Sequence, residues 1–363
     1  MACWYSILAT TLVLTQAPNG ASHWVSVAQK EGNCVIRDFG DRPDGYRNGA
    51  KLWFGNELLL TCSFYSTSRP QNRSTLSAGG MLWSGEDVPR YYGYNVAFFD
   101  AEDKLIACDG GSLPDYPPVT TGTSSVTRLM PIPPNVYRYV ASYKVAYFES
   151  DLPIGQVPWD EQKLLRVTTT NGNTGATTQQ SWPAWKSDGE LRDVPFRIRA
   201  GSRLLPNDAS DHWRAETIEG PCKLTRASEF HANKDQSRKL SIAVGDTSKL
   251  RADCHFALND ENAIEGWVHF ENSSDRLRFG VLNVTFFDSY GNLVSCIHQE
   301  TATEANAAGP SVTVGGQVQH DAAAYEGMMP MPIPVGLEAR VSAYKITLYD
   351  SDERLGASVK EVR

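Results

Sequence analysis

Two stretches of the chain alternate polar and apolar side chains with a period of two, and they do so in the same words. Tyr143, Val145 and Tyr147 fall on one face of an extended segment, and Lys144, Ala146 and Phe148 fall on the other. Further on, Tyr344, Ile346 and Leu348 oppose Lys345, Thr347 and Tyr349 in the same order. A period of two met independently in both places predicts strands, because a helix would bring its apolar positions back every three or four residues. Leu250, Ala252, Cys254 and Phe256 share a face, as do Leu58, Leu60, Cys62 and Phe64; Cys34 goes with Ile36 and Cys222 with Leu224. By the same alternation all six cysteines beyond the first apolar run, Cys108 and Cys296 included, point inward.

The alternating segments belong to a longer internal repeat. Tyr94-Asn-Val-Ala-Phe-Phe-Asp100 recurs as Leu282-Asn-Val-Thr-Phe-Phe-Asp288, so Asn95, Asp100 and Cys108 each have a like residue 188 positions later, at Asn283, Asp288 and Cys296. Met130-Pro-Ile-Pro133 answers Met331-Pro-Ile-Pro334, at an offset of 201, and Ala141–Asp151 answers Ser342–Asp352. The second copy therefore carries about 13 extra residues between Cys296 and Met331 (the two offsets differ by that much), read as a longer surface loop. Gly291-Asn292 supplies turn chemistry for a hairpin after Asp288, and Ala101-Glu-Asp103 does so after Asp100. The Met-Pro-Ile-Pro stretches cannot donate a full ladder of hydrogen bonds and belong at a sheet edge or crossover. About seven short strands per copy, separated by Pro/Gly/Asn loops, predict two tandem immunoglobulin-like antiparallel β-sandwiches from an internal duplication, an all-β chain.

This pattern divides the chain into a signal peptide at 1–22, a first sandwich at 23–156, a partly packed linker at 157–211, a second sandwich at 212–357 and a tail at 358–363. The signal is the apolar run Ala2–Leu14, followed by small residues with cleavage expected near Ala21 or Ser22; it is too short for a membrane span. No later segment is apolar enough to cross a bilayer. The expected location is therefore exported: periplasmic, cell-surface or secreted. Within the linker, Thr168–Thr178 reads as a flexible polar loop and Val194–Arg199 as a short strand, and Trp159, Trp182 and Trp185 argue that part of it packs on the first sandwich.

Composition narrows the function by exclusion. A net charge of −8, with no Lys/Arg cluster, argues against nucleic acid, whose phosphates need clustered cations. There is no Gly-x-Ser-x-Gly elbow, phosphate loop or dinucleotide fingerprint. After the signal the cysteines are Cys34, Cys62, Cys108, Cys222, Cys254 and Cys296, candidate disulfide partners in an oxidising compartment. Three per copy leaves one thiol over if each copy holds one bridge. His255, His269 and His298 stand near Cys254 and Cys296, but without close ligand pairs the zinc reading yields to ordinary histidines and core cysteines. Asp100, Glu149, Asp151, Asp288, Asp350 and Asp352 are candidate calcium ligands if the loops converge, against a simpler reading as turn-capping acids. No other cofactor is indicated.

The second copy also resembles a bacterial FxLYD-type domain, an immunoglobulin-like β-sandwich module of exported proteins. The resemblance rests on Gly266-Trp-Val-His-Phe-Glu-Asn272, on Val284-Thr-Phe-Phe-Asp288 with Gly291-Asn-Leu-Val294, and on Ile346-Thr-Leu-Tyr-Asp350. In the first copy the glycine segment departs to Gly80-Met-Leu-Trp-Ser84. The resemblance implies the fold and export, and brings no catalytic residues. The resulting expectation is a non-catalytic structural or interaction module that presents loops or edges to a protein or a cell-surface glycan. The alternatives are a carbohydrate-binding or hydrolytic exoprotein using Trp159, Trp182 and Trp185, and a thiol-redox protein needing an accessible cysteine.

Overall fold

A computed structural model of the chain describes residues 25–36, 51–54, 58–69, 73–84, 91–112, 122–153, 165–171, 177–181, 201–204, 212–224, 226, 240–243, 250–260, 262–272, 277–303, 312–314, 317–319, 326–333, 337 and 340–355. Among these there is no α-helix, and the protein is all-β. No helix of the described residues is long and apolar enough to cross a membrane. The expected signal at 1–22, the tail, Val194–Arg199, Trp159, Trp182 and Trp185 lie outside the described residues.

The N-terminal half contributes β1 (Val25–Asn33), β2 (Lys51–Phe54), β3 (Leu58–Arg69), β4 (Arg73–Ser84), β5 (Tyr91–Phe99), β6 (Leu105–Ser112), β7 (Gly122–Ile132) and β8 (Ser142–Ser150), with a 3-10 turn at Val136–Tyr139. The middle of the chain adds β9 (Leu165–Asn171), β10 (Thr177–Ser181) and β11 (Gly201–Leu204). The C-terminal half supplies β12 (Trp213–Pro221), β13 (Leu240–Ala243), β14 (Leu250–Leu258), β15 (Ala263–Asn272), β16 (Arg278–Asp288) and β17 (Leu293–Thr303). It ends with β18 (Val312–Val314), β19 (Gln317–Gln319), β20 (Glu326–Pro332) and β21 (Val341–Ser351).

Four sheets result. An inner N sheet runs β10-β9-β1-β8-β5-β6 and an outer N sheet β2-β3-β4-β7. An inner C sheet runs β11-β12-β21-β16-β17-β18-β19 and an outer C sheet β13-β14-β15-β20. The order β1-β8-β5-β6 thus recurs as β12-β21-β16-β17, and β2-β3-β4-β7 as β13-β14-β15-β20. Within the sheets the strands pair antiparallel, save that β9 lies parallel to β1. Both Met-Pro-Ile-Pro stretches fall on strands that end a sheet, β7 and β20, where a missing N–H breaks no ladder.

The alternation in the sequence separates two faces of each central strand, and both faces prove to be covered. Tyr94, Val96, Phe98, Val145 and Tyr147 pack with Leu76, Ala78, Met130 and Ile132 of the outer N sheet. Leu282, Val284, Phe286, Ile346 and Leu348 pack with Leu250, Cys254, Phe256, Ile264 and Phe270 of the outer C sheet. The remaining faces of the two inner sheets meet each other: Ala97, Phe99, Cys108, Ala146 and Phe148 join the cluster of the C-terminal half. Trp213, Ala215, Val281 and Tyr349 join that of the N-terminal half. The result is a four-layer stack in which two sheets are buried on both sides.

Two loop expectations are corrected. The Thr-rich stretch after Leu165 is a strand, β9, paired to β1 along Val25–Glu31, because a run of β-branched threonines suits a pleated edge better than a coil. The insertion after Cys296 is more than a loop: β18 and β19 form a two-strand ribbon that extends the inner C sheet beyond β17.

Candidate functional site

The feature of this molecule with the most chemistry is the seam between the two inner sheets. Several of its groups come in pairs at corresponding places in the two halves. The Asn95 side-chain oxygen accepts from the Cys296 backbone N–H at 3.1 Å, and that of Asn283 accepts from the Cys108 N–H at 3.2 Å. Phe99 and Phe287 meet with ring centroids 6.1 Å apart. The Lys144 ammonium bonds Glu31 and the Gly291 carbonyl (3.0 Å). In return the Lys345 ammonium bonds the Asp103 carbonyl, its carboxylate (2.6 Å) and Glu219 (3.5 Å). Lys345 also lies 5.4 Å above the Phe99 ring. Each lysine therefore reaches an acid on its own sheet and the tip of the hairpin of the other half.

Four further bonds lace the seam. The Gln29 amide donates to the Leu293 carbonyl and accepts from its N–H, both at 3.0 Å. At the matching place on the other side the Thr347 hydroxyl donates to the Leu105 carbonyl at 2.5 Å. The Tyr349 hydroxyl donates to the Ile106 carbonyl at 2.7 Å, and burial pushes that phenol well above its ordinary pKa. A buried polar group without a partner is costly, so paired groups like these fix one relative placement of two sheets that apolar contact alone would let slide.

The pairing also breaks at Gly110. Gly110 faces Asn95, and a methyl there would lie 2.0 Å from the Asn95 oxygen and 2.9 Å from the Cys296 carbonyl. The position 188 residues on is His298, whose Nδ1 stands 3.3 Å from the Asp109 carboxylate and whose Nε2 stands 3.9 Å from that of Glu300. Burial would lower the His298 pKa, but the hydrogen bond and charge of Asp109, with the charge of Glu300, outweigh burial and the nearby Arg128 and raise it. Glu300 is raised by burial, against the pull of His298 and Arg354.

The sequence candidates sit elsewhere. Asp100 and Asp288 each close a hairpin turn. The Asp100 carboxylate accepts from the N–H groups of Glu102 (2.9 Å) and Lys104 (2.8 Å). That of Asp288 accepts from Tyr290 (2.9 Å), Asn292 (2.8 Å) and the Asn292 amide (2.9 Å). Burial raises both carboxyl pKa values against these bonds. The strand register puts the other acids at the far ends: Phe99 pairs with Ser142 while Tyr91 pairs with Ser150, and Asp288 pairs with Val341 while Gly280 pairs with Asp350. At about 3.3 Å per residue, Asp100 is separated from Asp151 within its sheet by nearly 30 Å. Asp350 is buried against Arg278 at 2.6 Å, and Asp352 lies 3.3 Å from His212. Glu149 lies in β8, pairing with Ser26 and Tyr92, and Asp151 is half-buried just beyond it. Among the described residues no group of three or more His, Cys, Asp or Glu is placed to hold a metal ion.

The cysteines are interior, as alternation requires. Cys34, Cys108 and Cys296 are free thiols; Cys254 is fully buried and Cys222 half-buried, while the Cys62 side chain lies outside the described residues. Burial pushes the Cys34 thiol up to about 12 and raises Cys254 and Cys296 as well, which leaves none of the three as a ready nucleophile. Cys108 and Cys296 do not face the interior of their own halves: they face the seam. His255 is buried in β14 rather than on the surface, and Tyr92 is a core residue stacked on Tyr147 at 6.2 Å.

Sequence reasoning passed over the seam residues. Their signal was present: Asn95/Asn283, Lys144/Lys345 and Glu31/Glu219 are polar, are repeated, and alternate with apolar residues. No family model matches this chain, and none of the curated proteins does.

Proposed function

We propose that the chain is an exported, non-catalytic structural or interaction protein made of two immunoglobulin-like sandwiches that arose by duplication, each similar to an FxLYD-type module. One observation carries the reading: side chains repeated between the halves are spent on joining them, as Asn95 with Cys296 and Asn283 with Cys108. A duplicated unit that docks on its own copy is expected to leave such reciprocal contacts, and the matching strand orders of the two halves support it. The polar groups of the seam are bound to one another rather than aimed at a cleft, which favours a rigid body over a reaction site. Such a body presents two outer sheets and their loops to a partner, a protein or a cell-surface glycan, at a fixed separation.

The full-length chain, immobilised, is to be screened against glycan arrays and biotinylated cell-surface proteins, alongside fluorogenic glycoside, ester and peptide substrates. Saturable binding without turnover supports the reading. Turnover that co-purifies with the chain through successive columns and is lost on substituting one of its carboxylates overturns it, and so does recovery of the protein from the cytoplasm alone.

A further inference from the structure

Each half carries three cysteines, and the seam brings one from each half together. Cys108 lies on β6 and Cys296 on β17, both wholly inaccessible to solvent, with side chains close enough to interact across the seam. The backbone N–H of each is held by the asparagine of the opposite half. The Cys108 sulfur also lies 3.2 Å from the Val284 carbonyl, on the strand β16 beside that of Cys296, and 3.5 Å from the carbonyl of Ile297, the residue after Cys296 on β17. In the C-terminal half the other two cysteines, Cys222 and Cys254, both bear on Tyr344, away from this contact.

The geometry points to Cys108 and Cys296 as the partners of a disulfide that joins the two halves of the chain covalently across the seam. The bond forms by exchange with a small-molecule disulfide, for which glutathione disulfide serves as the probe. One cysteine thiolate attacks a sulfur of the oxidant, releasing one thiol and leaving a mixed disulfide. The second thiolate then attacks the protein sulfur and displaces the other thiol. Two protein thiols are oxidised, one small disulfide is reduced, and the two protons end on the released thiols. Burial holds the thiols protonated and out of reach in the closed seam, so the exchange takes place while the halves dock during folding.

The test uses the unmodified full chain refolded in a glutathione/glutathione-disulfide buffer, alkylated under denaturing conditions, digested without reductant and mapped by mass spectrometry. The expected result is the Cys108 peptide linked to the Cys296 peptide. Recovery of both cysteines alkylated, or of either joined to another cysteine, overturns the proposal. As a second measurement, the oxidised chain is nicked by protease between the halves and run with and without reductant. The halves should stay together in one covalent species until reduced, and should separate without reductant in Cys108→Ala or Cys296→Ala. The oxidised wild type should melt several degrees above the reduced form, a difference that both variants lose. A melting difference that persists in them counts against the bond. Because the readout is a covalent link, its failure leaves the partner-presentation reading standing, and failure of that reading leaves the bond to be judged on the map.

Discussion

The two halves differ both inside each pair of facing sheets and across the seam between them, but the two kinds of place tolerate difference differently. Tyr94 and Tyr147 in the N-terminal half stand where the C-terminal half has Leu282 and Leu348, and Tyr92 stands where it has Gly280. Across the seam one set of residues is held in common. Asparagine, cysteine, lysine, glutamate and phenylalanine occupy the same places on both sides, at 95/283, 108/296, 144/345, 31/219 and 99/287. A sheet interior accepts any set of side chains that fills its volume, with aromatic exchanged for aliphatic when neighbours adjust. A contact made of directional bonds between two buried faces has no such latitude, because one lost partner leaves the other unsatisfied. At these five places residue identity follows the reciprocal contacts of the seam, and at Gly110/His298, Ala146/Thr347 and Phe148/Tyr349 the seam is one-sided.

That contrast can be broken most forcefully at the lysines. Lys345 is nearly inaccessible and holds Asp103 and Glu219, whereas Lys144 is more open and holds Glu31. Lys345→Ala is expected to cost about 3 kcal/mol in urea unfolding, since it takes a nearly inaccessible ammonium away from the mostly covered Glu219, and Lys144→Ala about 1 kcal/mol. Equal losses would mean that the two ends of the seam are energetically alike. The next effect is at the broken pair. Gly110→Ala drives a methyl into Asn95 and should cost roughly 2 to 3 kcal/mol through overpacking and the lost bond to Cys296. His298→Ala at the matching position should cost about 1 kcal/mol or less, because it removes only a partly exposed pair with Asp109.

The hairpins give a smaller contrast. Asp288 accepts three hydrogen bonds and Asp100 two, so Asp288→Ala should destabilise by about 2 kcal/mol and Asp100→Ala by about 1 kcal/mol in the same measurement. The smallest effect is a pH slope. The folded pKa of His298 is raised, so its contribution is fully present below the ordinary histidine value of about 6.5 and is lost as pH rises through the folded value. Glu300, also raised, acts in the same direction at lower pH. The urea midpoint should fall between roughly pH 6 and pH 8 in the wild type and stay flat in His298→Ala. A midpoint that rises over that range would show that Asp109 does not hold the imidazolium.

Much of the fold could be read from the chain alone: the strands from their period of two, the edge placement of both Met-Pro-Ile-Pro stretches from their missing donors, and the turn-capping role open to Asp100 and Asp288. The seam could not, for a definite reason. Alternation says that Lys144, Ala146 and Phe148 share a face, but not what lies on it, and a small or aromatic residue is as much at home beside solvent as beneath another sheet. Lys144 and Lys345 carried a hint, since a lysine repeated between apolar neighbours asks for a partner. His298 with Asp109 carried none, because neither has a like residue in the other half. The Thr168–Asn171 strand was hidden by polarity; its β-branched side chains were the better guide.

The parallel pairing of β9 to β1 bears on how this protein can be cut. The sequence repeat suggests separating the halves near residue 157, but β9 and β10 lie beyond that point and shield the flank of β1, as β11 shields β12 on the other side. A fragment ending there would carry an unprotected row of amide donors and carbonyl acceptors together with a bare apolar face, the two features that make β-rich fragments aggregate.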